Sequence, residues 1–240
     1  MSSYSSDCEI IILAGGLGTR LNSVQSNTPK AMSIINGKPF IDILIDFYLS
    51  QGFRRFIILV GHLKNHIINH LSKRKNITIL FSEENTPLGT GGALVRARKL
   101  FKSKIQLVIN GDSFCGINIK ELVNFHLNCS SDISIVVRSS MHLKEYGSIT
   151  FNENKRIISF NEKQNIKQGF INCGVYVLSS KIIDLIPSKI KSSLEYDFFP
   201  NNLDRRIYAF ETKKELIDIG TPERLKKASS FFKYFNHEKR

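Results

Sequence analysis

Directly behind an apolar run, the segment Leu13-Ala14-Gly15-Gly16-Leu17-Gly18-Thr19-Arg20-Leu21 sets bare backbone beside one fixed positive charge. Glycine-rich backbone lets N–H groups approach the oxygens of a phosphate chain, and a guanidinium adds a planar fork of donors. Read alone, such a loop is equally a tight turn, because glycine tolerates positive φ. Two common fingerprints are missing. No G-x-x-x-x-G-K-[ST] run occurs, and Gly16-x-Gly18-x-x-Leu21 lacks the third glycine of the dinucleotide-binding pattern. Thr28-Pro29-Lys30 follows, and a lysine held behind a proline can offer a point charge to the same phosphates. By itself Lys30 reads as a surface lysine.

Two acids stand in comparable places. Asp112 follows the apolar run Ile105–Asn110, and Asp218 follows Leu216-Ile217. A carboxylate at the end of a buried strand is too costly to keep without a partner. Strands ending side by side could present both to one Mg²⁺, a hard ion that takes carboxylate and phosphate oxygens. Each taken alone suits a turn or helix cap as well. His62, His66, His70, His126, His142 and His237 show no metal-ligand spacing and read as structural or surface residues. Cys8, Cys115, Cys129 and Cys173 are scattered without a C-x-x-C pair, which argues against a zinc cage or a disulfide framework. A reducing compartment, the cytoplasm, is expected.

The elements that must position these groups alternate through the first half. Strands are expected at 8–14, 56–60, 77–81, 105–110 and 132–137, with helices at 40–51, 64–71, 91–100 and 119–127 between them. That rhythm predicts an α/β fold with a doubly wound, mostly parallel, Rossmann-like sheet. Beyond residue 146 the texture changes to a hairpin over 148–160, a longer strand at 170–178 and short strands at 207–210 and 215–219, a smaller antiparallel portion. Thr221-Pro222-Glu223 then opens a helix through about residue 235. One domain over 1–235 is expected, with parts at about 8–138, 139–220 and 221–235, and a tail at 236–240. A crevice should open at the carboxyl ends of the parallel strands.

The composition sets limits. Hydrophobic residues make up 42% of the 240-residue chain, an ordinary share for a soluble globular protein, and no stretch is long enough to span a membrane. The formal charge of +13 favours anionic partners, nucleotides and sugar phosphates among them, and equally describes a solvated basic surface. Lys73-Arg74-Lys75, the densest basic run, reads as a solvated loop. A nucleic-acid role rests on charge alone, because no aromatic stacking motif accompanies it.

Taken in order, the motifs carry more. The glycine segment, Pro29-Lys30-Ala31-Met32, Pro87-Leu88-Gly89-Thr90-Gly91-Gly92, Asn110-Gly111-Asp112, Tyr146-Gly147, Phe160-Asn161-Glu162-Lys163, Asn172-Cys173-Gly174 and Asp218-Ile219-Gly220-Thr221 together resemble the sugar-1-phosphate nucleotidylyltransferases. The likeness runs from Ile10 to Phe232. In wording such as "PLGTGGAL" and "SLEYDFFP" it is most similar to the short bacterial D-glycero-α-D-manno-heptose 1-phosphate guanylyltransferases, with the mannose-1-phosphate guanylyltransferases next.

The resemblance implies that a sugar 1-phosphate attacks the α-phosphorus of a nucleoside triphosphate and releases pyrophosphate. The nucleophile is already an anion, so catalysis is positioning and charge neutralisation. It implies nucleotide contacts from Leu13, Ala14, Gly15, Gly16, Gly18 and Thr19, and from Glu84, Pro87, Gly89 and Thr90. Arg20 is to hold the triphosphate, Lys30 the charge at the α-phosphate, and Asp112 and Asp218 a Mg²⁺ ion. Gly111, Tyr146, Gly147, Asn172 and Gly174 are to line the sugar-phosphate pocket, with Lys163 on the phosphate and Glu162 on sugar hydroxyls. Guanine offers adjacent N1–H and N2–H donors that the Glu84 carboxylate suits, which favours GTP, while backbone carbonyls or a merely solvated loop remain open. A monomer or small homo-oligomer is expected, with no nucleic-acid or membrane partner. Ala31, where the family usually has a second proline, and Leu216, in place of a frequent tryptophan, depart from the pattern. These departures leave room for a catalytically silent nucleotide-sugar sensor.

Overall fold

The computed structural model describes residues 8–16, 18, 27–141, 148–161, 169–187 and 191–235. Its centre is a nine-stranded sheet whose parallel part runs in the order β6 (Ile105–Asn110), β1 (Cys8–Ala14), β4 (Arg55–Val60) and β5 (Thr78–Glu83). Successive side chains of β1 pack on opposite faces. Cys8, Ile10, Ile12 and Ala14 enter one core, and Ile11 enters the other. In β4, Phe56, Ile58 and Val60 alternate with Ile57 and Leu59 in the same way. A strand buried on both sides needs apolar residues at nearly every position, which is why both segments are apolar except for Glu9 and Arg55, paired with each other at 3.2 Å near the strand starts.

Helices cover both faces. On the first lie α1 (Phe40–Ser50), α2 (Lys64–Leu71), α4 (Ile119–Asn128) and α6 (Pro222–Phe235); on the second lie α3 (Gly89–Ala97) and the short α5 (Ser180–Ile183). Helix α1 ends where expected, with Gly52 at φ +96° just beyond its C-cap Gln51. Helix α6 begins at Pro222, and the Thr221 hydroxyl accepts the Arg224 N–H at 3.3 Å. Phe114 anchors α6, with ring centroids 4.9 Å from Phe47, 5.1 Å from Phe232 and 5.2 Å from Phe235.

The antiparallel portion is continuous with the parallel one. Strand β11 (Gly169–Ser179) pairs with β6 along Val175–Ser179 and with β8 (Ile133–Ser140) along its other edge. At Phe170 it meets Ile149 of β9 (Ser148–Phe151), which forms the expected hairpin with β10 (Ile157–Asn161). Its register against β8 shifts between Asn172 and Tyr176, and Gly174 sits in that bulge at φ +71°. Strand β12 (Ile207–Glu211) runs parallel to β8.

Three features depart from the sequence reading. Ser113–Cys115 forms a strand, β7, that pairs antiparallel with β13 (Leu216–Asp218) in a separate two-stranded sheet. Leu194–Phe198, within "SLEYDFFP", is one π-helical turn capped by Ser193. Arg74 is no part of a merely solvated loop: its guanidinium donates to Asp42 at 3.0 Å and also pairs with Asp46, tying the end of α2 to α1.

Candidate functional site

Strands β1, β4, β5 and β6 all end at one edge, and a cavity of about 400 Å³ opens there. Leu13, Gly15, Gly16 and Gly18 line it from β1 and its loop; Glu84, Pro87, Gly89 and Thr90 line it from the far side. A smaller cavity of about 150 Å³ adjoins it, bounded by Gly16, Lys30, Gly111, Asp112 and Gly220. The expected crevice thus lies at the carboxyl ends of the parallel strands.

Close approach fixes three glycines here. The Gly111 N–H donates to the Leu13 carbonyl at 2.9 Å, and a Cβ at residue 111 would lie 2.7 Å from that oxygen. Only glycine lets the Asp112 turn close onto the end of β1. Gly15 faces the Glu84 carboxylate, whose Oε1 would lie 2.8 Å from an added Cβ. Gly61, a residue the motif reading passed over, meets the same oxygen at 2.7 Å. The two glycines form the seat of Glu84. Burial pushes the Glu84 carboxyl up, opposed by the Leu88 N–H and by Arg96.

The charged centre is built from three distant segments. Lys30 sits in a 3₁₀ turn, Lys30–Met32, closed by the Met32 N–H on the Pro29 carbonyl at 2.8 Å, so the buried Ala31 holds the lysine without a second proline. Its ammonium lies 2.6 Å from Asp112 Oδ2. Asp218 stands opposite Ser113 in the β7–β13 ladder, and the Ile219 N–H donates to the Asp112 carbonyl at 3.1 Å. Asp218 accepts from Arg224 at 3.0 Å and from the Gly220 N–H. A Cβ at Gly220 would lie 3.1 Å from the Lys30 Nζ and 2.7 Å from Asp218 Oδ1. Lys30, Asp112 and Asp218 therefore share one corner, with the glycine loop beside it: a Cβ at Gly18 would lie 3.4 Å from the Lys30 Cβ.

Asp112 has in Lys30 the kind of partner that the end of a buried strand calls for, but is itself only partly buried. Its side chain is 39% exposed, because it lies in the turn beyond β6 at the cavity mouth. There it meets the Lys30 ammonium. Asn110 Oδ1 and Ser113 Oγ, on either side of it in sequence, are buried with no hydrogen-bond partner among the described residues, polar atoms set to meet something polar.

Asn172 and Gly174 come to the floor of this corner from β11. A Cβ at Gly174 would press on Ser113 Oγ at 2.7 Å and on Asn110 Nδ2 at 2.9 Å. The Asn172 amide is engaged internally: Oδ1 accepts the Gly174 N–H and Nδ2 donates to the Tyr176 hydroxyl, each at 2.8 Å. The Thr90 hydroxyl is likewise engaged, donating to Glu195 at 2.7 Å. Arg20, Thr19, Tyr146, Gly147, Glu162 and Lys163 lie outside the described residues. Arg96 and Lys191 line the cavity without having been singled out, and Arg224 on Asp218 was missed as well. Arg96, Lys191 and Arg224 belong to none of the motifs.

A family model described as nucleotidyl transferase matches residues 9–234. The chain is 32% identical over 229 residues to a D-glycero-α-D-manno-heptose 1-phosphate guanylyltransferase of Aneurinibacillus thermoaerophilus, covering 95% of this chain and 99% of that one. It is 37% identical over 220 residues to the enzyme of the same name from Campylobacter jejuni subsp. jejuni, covering 90% and 96%. Among solved structures, HddC from Yersinia pseudotuberculosis superposes with a TM-score of 0.84 at 39% identity, covering 93% of this chain and 99% of that one, and it has also been crystallised with GMP-PN.

Proposed function

The chain belongs to the nucleotidyl transferase family, and from that premise we propose that it transfers the GMP unit of GTP to D-glycero-α-D-manno-heptose 1-phosphate, giving GDP-heptose and pyrophosphate. The observation that carries this reading is the shared corner of Lys30, Asp112 and Asp218 beside the glycine loop, in a chain alike over nearly its full length to heptose 1-phosphate guanylyltransferases.

In the reaction a phosphate oxygen of the sugar 1-phosphate bonds to the α-phosphorus, and the bond to the bridging oxygen breaks as pyrophosphate leaves. No proton must be removed from the nucleophile, so the site needs donors and charge. Backbone N–H groups around Gly15, Gly16 and Gly18, with Arg20 and Thr19, cradle the triphosphate. Lys30 moves from Asp112 to the α-phosphate oxygens as charge builds there. Glu84, held over Gly15 and Gly61, accepts the guanine N1–H and N2–H donors. Gly111, Tyr146, Gly147, Asn172 and Gly174 shape the sugar side, Glu162 accepts sugar hydroxyls and Lys163 pairs with the sugar phosphate.

Asp112 and Asp218 fit a divalent ion. They are hard oxygen donors on adjacent strand ends, each balanced here by a cation, Lys30 or Arg224. Bound there, Mg²⁺ supplies neutralisation of the phosphate charge. Phosphate oxygens and water would supply the remaining ligands of such an ion. Among the described residues no helix is long and apolar enough to cross a membrane; we place the reaction in the cytoplasm, with the chain acting as a monomer or small homo-oligomer.

The test is pyrophosphate release with Mg²⁺ across GTP, UTP, CTP, dTTP and ATP, each with heptose, mannose and glucose 1-phosphates. Turnover highest with GTP and the heptose phosphate is expected. Preference for mannose 1-phosphate would move the substrate assignment, and silence with every pair would remove the reaction.

A further inference from the structure

Glu195 is a half-buried carboxylate with an unusual set of partners: three hydroxyls and, among the described residues, no cation. Thr90 donates to Oε2 at 2.7 Å, Ser193 donates to Oε2 at 2.8 Å, and Tyr176 donates to Oε1 at 3.0 Å. An ionised carboxylate only accepts, so it dictates the direction of every hydrogen bond that meets it.

On one side the order propagates into β11. The Tyr176 phenol is fully buried and gives its proton to Glu195, so its oxygen must accept from Asn172 Nδ2. That choice turns Asn172 Oδ1 toward the Gly174 N–H and pins the bulge lying against Asn110 and Ser113. On the other side the Thr90 hydroxyl, its proton committed to Glu195, accepts the Leu194 N–H at 2.8 Å. This fixes the first turn of α3, where Gly89 and Thr90 line the larger cavity.

We propose that Glu195 is a positioning residue that holds the two substrate half-sites in register, the nucleotide wall through Thr90 and the sugar-phosphate floor through Tyr176 and Asn172. The proposal rests on the nucleotidyl-transfer reading above. It adds a residue that touches neither substrate and acts on both.

Glu195→Gln tests it, because shape is kept while one acceptor oxygen becomes an NH₂ donor. If that donor faces Tyr176, the phenol meets two donors and its own proton loses its acceptor. If it faces Thr90 and Ser193, those hydroxyls lose theirs. A hydrogen bond to a charged group is worth enough that KM for both GTP and sugar phosphate should rise about tenfold, with Tm nearly unchanged. Glu195→Asp, still an acceptor at both oxygens, should recover part of the loss. Thr90→Val should raise the GTP KM alone, and Tyr176→Phe the sugar-phosphate KM alone. Both KM values within twofold of wild type in Glu195→Gln would overturn the proposal, as would loss of kcat in step with Tm at unchanged KM.

Amide exchange gives a second readout that needs no turnover. Peptides holding Gly174 and Leu194 should exchange several-fold faster in Glu195→Gln, and unchanged exchange there would also overturn the proposal. If wild-type protein releases no pyrophosphate with any pair, the reaction assignment fails and the exchange data alone decide the role of Glu195.

Discussion

The ammonium of Lys30 and the carboxylate of Asp112, 82 residues apart in the chain, meet at 2.6 Å. The Lys30 side chain is largely buried, 12% exposed, while Asp112, 39% exposed, faces the cavity mouth. In the proposed reaction a phosphate would take the place of the carboxylate beside Lys30, so that the largely buried ammonium would stay paired while Asp112 is freed toward the mouth.

Removing the anion should stop the chemistry and spare the fold. Asp112→Asn is expected to lower kcat by about 10²–10³, the scale of losing one electrostatic element of an active site. Its Tm should stay within a few degrees of wild type. Pyrophosphate release and a thermal melt on the same preparation check both halves.

Gly111→Ala should act through backbone crowding. The added methyl would sit 2.7 Å from the Leu13 carbonyl oxygen, so the Asp112 turn must lift off β1. A loss of about 1–3 kcal/mol is expected from overpacking at this place. Urea unfolding reads the stability, and the Mg²⁺ concentration for half-maximal rate should rise with it.

Glu84→Gln should blunt discrimination between bases. An amide presents one acceptor and one donor where guanine needs two acceptors. The GTP KM is expected to rise about tenfold, as for a lost charge-assisted hydrogen bond, while the UTP rate stays level or improves. Paired kinetics with the two triphosphates measure the ratio.

His126 supplies a pH dependence of stability. It is buried beside Ser134 Oγ at 2.9 Å, and burial lowers its pKa from 6.5 to about 4. The unfolded chain binds the proton more readily. The stability is therefore whole above about pH 6.5 and declines as pH falls toward 4, by about 3 kcal/mol at most from this group. Urea midpoints between pH 7 and 4.5 should fall less steeply in His126→Gln than in wild type.

Much of this architecture was legible because burial on two faces writes itself as nearly unbroken apolar runs. β1, β6 and α2 begin and end at the expected residues. Ser113–Cys115 was not legible: three residues are too few to show a period, and the partner lies about a hundred residues away. Yet this short ladder sets Asp218 next to Asp112. The sequence could name both aspartates through their motifs but not the means of joining them. Glu195 was hidden for another reason. Its partners are hydroxyls on three separate segments, and hydroxyl networks leave no spacing in a sequence. Gly61 escaped because a glycine's neighbour is a tertiary fact.

Strand β11 serves as a party wall, stitched to β6 over one stretch and to β8 and β9 elsewhere. Neither side of such a wall is a portable module. A fragment that stops before β11 would leave β6 as a bare apolar edge, ready to recruit another chain in place of its own. Exchanging either half would break the wall, whereas changes in the loops at the crevice rim leave it whole.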